Sequence, residues 1–595
     1  MWCQYQVKNR EGREELGLVA LILLAVVAVY WPSLRYGLLD NWDDNMLVEN
    51  HAHLSLTWAN FGYWWHTSHI DIYHPLTMFS YMFDYQCWGL HPVGFRLQSL
   101  FWHLAAVVLA YRCFRLAGLN LWLAGLGTAV FALHPQRVES VAWISERKDV
   151  LCTALYLGAV YCHLSTRTPE KFSLREFLLL ALALLSKPMA VTLPVVLMLI
   201  DFARRQQWEV RYYLRRYWSL LLLVAGFVIL ASCFQPGPAE KLQSWSRMAA
   251  VVGHSYYWIT LNSLLPVMLN PFYTVITVSG ELGLKLAVFY GIALLLLGIV
   301  WQRRPDWRMP LLAMIAAYGV VLAPVAGFFH PGNIDYADRY SYLPSLFLLL
   351  PLLLGLQRLV ATPFRRTVLA FVAGLYLLLL TGLTCGYLPA WKSYYDMLIW
   401  SVRHDGTHQM SMVELGLAEC RMHHYQRVAE LAVALEAGRT GEDQVYPESG
   451  RFFGALLRAD LAYDWRRYAE TEELLLAVYP KLKPSHLYSS GIEVIIYQRL
   501  IGSCMNRGKF AEAAVYIDRL LQWYENQGKD FFYYYYLGEK AALYHDWPRA
   551  WQCLSQAQQF NSGNREYLNK EFKHLLEQCE KIHLSPPAPP TNPAK

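Results

Sequence analysis

Residues 16–32 read LGLVALILLAVVAVYWP, and residues 40–45, shortly after, read DNWDDN. The first stretch approaches the roughly 20 apolar residues that an α-helix needs to cross a hydrocarbon core of about 30 Å. The second sets three carboxylates, Asp40, Asp43 and Asp44, at the mouth of that helix. Charge there is costly unless it has a partner or a task.

Outward from this point the apolar pattern repeats. Further segments fall at 99–114, 119–134, 150–164, 176–186, 189–202, 217–234, 250–268, 284–301, 309–327, 342–357 and 367–385, and then they stop. With 55% hydrophobic and 16% charged residues over 595 positions, the chain is excluded from the ordinary soluble class. The pattern predicts an α-helical, multi-pass membrane domain over 1–385. The net charge of +6 comes from short basic clusters between apolar runs, not from one basic face, so a nucleic-acid partner is not expected. The 11 cysteines are scattered with no CxxC, and no disulfide framework is expected. The first apolar run has no small-residue cleavage site, so it does not read as a cleaved leader.

Short basic loops face the cytoplasm. The clusters Arg112/Arg115, Arg167/Lys171/Arg175, Arg204–Arg216, Arg303/Arg304/Arg308 and Arg358/Arg365/Arg366 are therefore placed inside. The loops 36–98, 135–149, 235–283 and 328–341 then lie outside. Segment 250–268, with His254, Ser255, Asn262 and Pro266, does not fit a crossing and reads as re-entrant or interfacial. About eleven spanning helices remain. Segments 176–186 and 189–202 are short and interrupted by Ser186-Lys187-Pro188, which reads as a hairpin with Lys187 at its tip.

Residues 386–584 are mixed and helical in character. Related units centre on Tyr425, Tyr468, Phe510 and Trp547, with the clearest small-residue pattern around Gly538, Ala541 and Ala550. These offsets predict an outward-facing, soluble α-helical solenoid of tetratricopeptide (TPR) type, with long linkers such as 436–449. The end, PPAPPTNPAK (585–595 with Ser585), is too proline-rich to fold.

The polar residues with chemical potential collect in the outer loops. The first loop holds Asp43, Asp44, His74, Asp84 and Arg96. The second, HPQRVESVAWISERKDV, holds His134, Arg137, Glu139, Arg147, Lys148 and Asp149, and its pattern suggests a helix lying along the membrane surface. Lys187 follows, then Asp335, Asp338 and Arg339 in HPGNIDYADRYSYLP. A carboxylate can take a proton from an attacking hydroxyl, and Arg and Lys can hold a phosphate. A site with both, half in the membrane, suits reaction at a lipid-linked phosphosugar. Asp43 or Asp44 fits the base, with Asp43 favoured because Trp42 can anchor it. Arg147, Lys187 and Arg339 fit the phosphate.

WDDN (42–45), HPLT (74–77), FALHPQRVESVAWISERKDVL (131–151), LLSKPMAVTLP (184–194) and ADRYSYLP (337–344) together resemble the transmembrane-and-TPR protein O-mannosyltransferase family. The resemblance covers about residues 15–560. It implies a GT-C glycosyltransferase fold, with the catalytic base in the acidic pair Asp43/Asp44. It also implies a polyprenyl-phosphate-linked sugar (mannose or another hexose) as donor and a protein hydroxyl as acceptor. His74, Arg96, His134, Glu139, Arg147, Lys148, Asp149, Lys187, Asp338 and Arg339 become the expected donor-binding set. No organic cofactor is implied; a divalent cation stays open. The expected location is a bacterial inner membrane, or the endoplasmic reticulum in a eukaryote.

Other readings of the same residues carry less support. His66-x2-His69-x4-His74 has zinc-like spacing, but such interfacial histidines are more often hydrogen-bonded loop residues. A transporter would carry its charges at the bundle midplane. A non-catalytic anchor would not need eleven helices. A polysaccharide polymerase or ligase uses the same donor chemistry and is the nearest alternative.

Overall fold

The computed structural model describes residues 9–39, 42–44, 52–69, 72–166, 171–234, 244–266, 268–273, 276, 278–328, 335–359, 362–406, 408–438, 449–478, 491–527, 531–560 and 568–583. Asp40, most of the 436–449 linker and the 585–595 tail lie outside these residues. The chain divides into two compact units, Met1–His408 and Gln409–Lys595. The segment 386–408, read from sequence as the start of the soluble part, belongs to the first unit. Its turn Leu388–Trp391 packs against helix Pro363–Tyr387 and against Tyr394–His404.

The first unit is helical, with one isolated bridge, His69 to Ile72, among the described residues. Every apolar segment is a helix. Among the described residues six helices are long and apolar enough to cross a bilayer: Gly12–Arg35, Pro92–Leu116, Val210–Phe234, Gly280–Arg303, Pro305–Val325 and Pro363–Trp391. The others of the expected eleven, Leu121–Leu133, Arg147–Ser165, Leu174–Ser186, Leu193–Arg205 and Pro344–Leu359, run to between 13 and 19 residues. Residues 250–264 of the segment 250–268 lie in the helix Trp245–Leu264. None of the apolar window of Gly280–Arg303 is buried inside the protein, which suits a lipid-facing helix.

Close approach in the core rests on small residues. A Cβ at Gly125 would lie 2.6 Å from Leu18 Cδ2, and one at Gly127 2.3 Å from Leu353 Cδ1. Helix Leu121–Leu133 is thereby clamped between the first helix and Pro344–Leu359.

Two expectations about position change. The stretch 135–149 does not lie along a surface: every residue from 131 to 150 is buried. It forms a helix Arg137–Ala142, an extended Trp143, a 3-10 turn Ile144–Glu146 and then helix Arg147–Ser165. The physical reason is its charge pairing, which lets this polar segment enter the core. The helices flanking Lys187 do not form a simple hairpin. Leu174–Ser186 packs on Arg147–Ser165, whereas Leu193–Arg205 packs on Arg308–Leu322, and Lys187 bridges them in extended conformation (φ −157°).

The second unit is a series of helical hairpins. Their second helices start at Tyr425, Tyr468, Phe510 and Trp547, the four aromatics that marked the units in sequence. Two residues before each, His423, Arg466, Gly508 and His545 take positive φ, between 59° and 73°, which closes each turn with a left-handed residue. Gly538 admits Leu554, whose Cγ would be 2.8 Å from a Cβ there.

Candidate active site

Asp44 is fully buried and fully engaged. One oxygen accepts from the Leu39 N–H (3.2 Å), and the other from the Ser145 N–H (3.0 Å) and the Ser145 hydroxyl. It therefore ties the first loop to the 144–146 turn. Burial pushes its carboxyl above the usual range, and the Ser145 hydroxyl and Arg96 oppose that.

Asp43 is different. It is half-buried, and its carboxylate makes no hydrogen bond among the described residues. Burial raises its pKa; Lys148 lowers it, Glu146 raises it and Arg339 lowers it. Trp42 beside it is packed rather than interfacial. Its ring lies 5.8 Å from Tyr394, 5.2 Å from Phe272 and 6.0 Å from Trp143. The structure thus separates the acidic pair, with Asp44 as a fastener and Asp43 as an unengaged group.

The charged groups that act on Asp43, Lys148, Glu146 and Arg339, belong to one network. Arg339 pairs with Glu139, which also accepts its backbone N–H at 2.8 Å. Lys187 pairs with Asp149, whose other oxygen accepts from Ser140 (3.1 Å). Lys148 donates to the Ser145 carbonyl (3.0 Å). All three cations share Glu146, at 2.8 Å from Lys148, 3.4 Å from Arg339 and 3.6 Å from Lys187. Burial works to raise Glu146, but the three cations together hold it well below the usual carboxylate range. Glu146 stands in the quoted second loop but was given no role from sequence. Its spacing carries no signal, because its partners come from positions 187 and 339.

Of the other expected donor ligands, Arg147 and Arg96 are engaged elsewhere. Arg147 pairs with Asp84, donates to Ser80 (3.1 Å) and to the Phe95 carbonyl (2.8 Å), and stacks 4.4 Å over Tyr81. Arg96 gives its N–H groups to the carbonyls of Tyr36 (3.3 Å), Gly37 (2.6 Å) and Ala142. Both are fasteners of the first loop. His74 sits at the N-cap position of helix Pro75–Trp88 without a side-chain capping bond and is buried. Burial lowers its pKa to about 3, with Lys148 and His69 acting in the same direction, so it is neutral at pH 7. His134 accepts from the Gln136 N–H at 3.3 Å. Asp338 is buried beside Glu139 and Arg137, and neither of its oxygens accepts a hydrogen bond of normal geometry. Asp335 instead accepts from the Ile276 N–H (2.9 Å) and pairs with Arg247 (3.3 Å).

The fit to a metal is limited. Both Asp44 oxygens are taken, and Lys148 and Arg339 stand beside Asp43. His66 lies against the Gly62 carbonyl (2.7 Å), and His66, His69 and His74 do not converge as a three-ligand set among the described residues. The set that does, Glu472, Cys504 and Glu512, has Glu472 already paired with Arg507 (2.6 Å) and Lys509 (2.8 Å).

Fold and site together define a polytopic, all-helical membrane protein with a buried acid–base cluster. Comparison with curated proteins bears out the resemblance drawn from its motifs. The chain is 22% identical over 294 residues to the Protein O-mannosyl-transferase F38B6.6 of Caenorhabditis elegans, covering 46% of this chain and 40% of that protein. It is 24% identical over 379 residues to the Protein O-mannosyl-transferase TMTC3 of Mus musculus, covering 55% and 41%. With mouse TMTC1 it shares 32% over 164 residues, covering 26% and 17%. The chain thus spans about two fifths of the length of the first two relatives. No family model matches it. Among solved structures it is similar to ArnT from Cupriavidus metallidurans in the apo state, at 13% identity and TM-score 0.36, covering 85% of this chain and 80% of that one.

Proposed function

We propose that the chain is an integral-membrane glycosyltransferase that moves a hexose, mannose on the relatives' names, from a polyprenyl-phosphate donor to a protein hydroxyl on the non-cytoplasmic side. The observation that carries this is the placement of Asp43, a carboxylate with no hydrogen bond among the described residues, beside Lys148 and Arg339, which share Glu146 with Lys187. Phosphate is the leaving group, and Lys148, Lys187 and Arg339 supply the positive charge it needs as negative charge develops. They are held ready by Glu139, Glu146 and Asp149. The acceptor oxygen bonds to the sugar's anomeric carbon while the bond from that carbon to the phosphate oxygen breaks. The hydroxyl proton passes to Asp43, and polyprenyl phosphate departs. A direct displacement of this kind inverts the anomeric centre.

The helical-hairpin unit is read as a TPR-like surface that recruits the protein acceptor. Deleting residues 409–583 is expected to weaken acceptor modification while donor binding persists. The enzyme reading itself is tested by intact-mass analysis of outer-compartment proteins with and without the chain. A hexose-sized loss on deletion supports it. An unchanged protein profile with altered polysaccharide points instead to the polymerase or ligase reading.

A further inference from the structure

Directly beside the cation cluster lies a second group of buried polar side chains that the mechanism above does not use. Arg137 is 1% exposed, yet its Nε and Nη1 have no hydrogen-bond partner among the described residues. Among the described residues only Nη2 is hydrogen-bonded, to Ser341 Oγ at 2.6 Å and more weakly to Gln136 Oε1 at 3.5 Å, while the guanidinium stands 5.3 Å over Tyr342 and 5.6 Å over Phe131. Ser341 in turn donates to the Asp338 carbonyl at 2.6 Å, so Arg137 is fastened to the 338–341 turn. Asp338 is 0% exposed, and both its carboxyl oxygens lack a hydrogen bond of normal geometry. Around it stand Glu139, Arg137, the Gln136 amide and the hydroxyls of Tyr273 and Tyr387. Gln136 Nε2 and the Tyr387 hydroxyl are likewise buried without a hydrogen bond of normal geometry, with Gln136 and Tyr273 close to Asp338 and Tyr387 close to the Trp391 indole.

Buried polar groups in folded proteins are nearly always hydrogen-bonded, and each exception calls for a reason. Here unmatched donors and unmatched acceptors occur together. An anion does not answer to that mixture, because Glu139 stands in the same group. A cation does not answer to it either, because Arg137 stands in the same group. What matches is a neutral polyol, since each hydroxyl both donates and accepts. Burial, reinforced by Glu139, pushes the Asp338 carboxyl well above the usual range, so it too can donate as well as accept. Trp143 and Trp391, stacked 5.7 Å apart, also have unmatched indole N–H groups. The location fits as well: Asp338 precedes Arg339, and Arg137 shares a helix turn with Glu139, both members of the charge network.

We infer that Asp338, Arg137, Gln136 and Tyr387 form the subsite that receives the sugar of the donor, next to the cations that receive its phosphate. This rests on the proposed glycosyl transfer and names the part of the site that senses the sugar.

The test compares two probes, polyprenyl phosphate and polyprenyl-phosphate mannose, binding to the full chain in nanodiscs. Tyr387→Phe removes a hydroxyl that stands by the Trp391 indole and makes no hydrogen bond of normal geometry among the described residues, so stability is expected to change little. Its affinity for polyprenyl-phosphate mannose is expected to fall about 3- to 10-fold, the range of one neutral hydrogen bond. Asp338→Ala is expected to lower it by about tenfold or more. Both variants should keep the wild-type affinity for bare polyprenyl phosphate, whereas Lys148→Met should weaken both probes. Equal losses for the two probes, or no loss for either, overturn the sugar subsite while leaving the phosphate reading intact. A wild-type chain that binds neither probe overturns the lipid-phosphate reading, and the subsite with it. Should Asp338→Ala fail to fold, Tyr387→Phe decides alone.

Discussion

Replacing Asp44 with asparagine separates the two roles in the acidic pair. Asp44 accepts three hydrogen bonds in a fully buried position, from Leu39, from the Ser145 backbone and from the Ser145 hydroxyl. An asparagine amide can keep the Ser145 side of this arrangement with its carbonyl oxygen. Its NH2 then faces the Leu39 N–H, donor against donor. A buried donor left without an acceptor costs about 1–3 kcal/mol, and losing the charge on the acceptor weakens the remaining bonds. The loop that carries Asp43 should therefore loosen from the 144–146 turn, with a stability loss of about 2–4 kcal/mol. Turnover should fall because Asp43 is misplaced, yet the acid limb of the pH profile should persist, since the base is still present. A double-mutant cycle with Ser145→Ala should show a coupling of about 1–3 kcal/mol. The assays are denaturation in detergent and kcat/KM against pH. A stable Asp44→Asn variant with normal turnover, or one that loses the acid limb, would refute the fastening role.

Other outcomes follow from the same geometry. Burial raises Asp43, and a protonated carboxyl cannot accept a proton. Activity should thus fall on acidification through a pKa above the ordinary carboxylate range, and Asp43→Asn should abolish that limb of kcat/KM. Arg147→Lys, which breaks the stacked contact with Tyr81 and the pairing with Asp84, should cost stability but leave donor affinity within about twofold; a selective loss of donor binding would restore the phosphate role read from sequence. Gly454→Ala places a Cβ 2.8 Å from the Ala432 carbonyl oxygen, so the second unit should lose about 1–3 kcal/mol in its own unfolding transition. Cysteine labelling near 60, 335 and 450 is expected from outside and near 210, 305 and 362 from inside; an outside label at 210 would scatter the charges over two faces.

Much of the fold was legible because its signals are local. Apolar runs became helices, and Tyr425, Tyr468, Phe510 and Trp547 each open the second helix of a hairpin. Of the proposed site, the sequence shows the residue types but not the gathering of Glu139, Lys148, Asp149, Lys187 and Arg339 around Glu146 that the structure shows. What the sequence hides is which charge meets which. Arg147 and Lys148 are adjacent, yet the first turns to Asp84 and the second to Glu146. Arg96 carries the same charge as Arg339 but spends it on backbone carbonyls. Glu146 gains its importance only from residues distant in the chain. The burial of 131–150 was missed because its charges suggest a surface, and only their mutual pairing permits a core position.

The most direct test of Asp43 as the base is hexose transfer from a polyprenyl-phosphate donor by wild type and Asp43→Asn, with donor dissociation constants measured in the same nanodiscs. The expected result is a turnover lower by about 10²–10⁴-fold, with donor affinity kept within a few-fold. Near-normal turnover in Asp43→Asn would contradict it and remove the acidic loop from the chemistry.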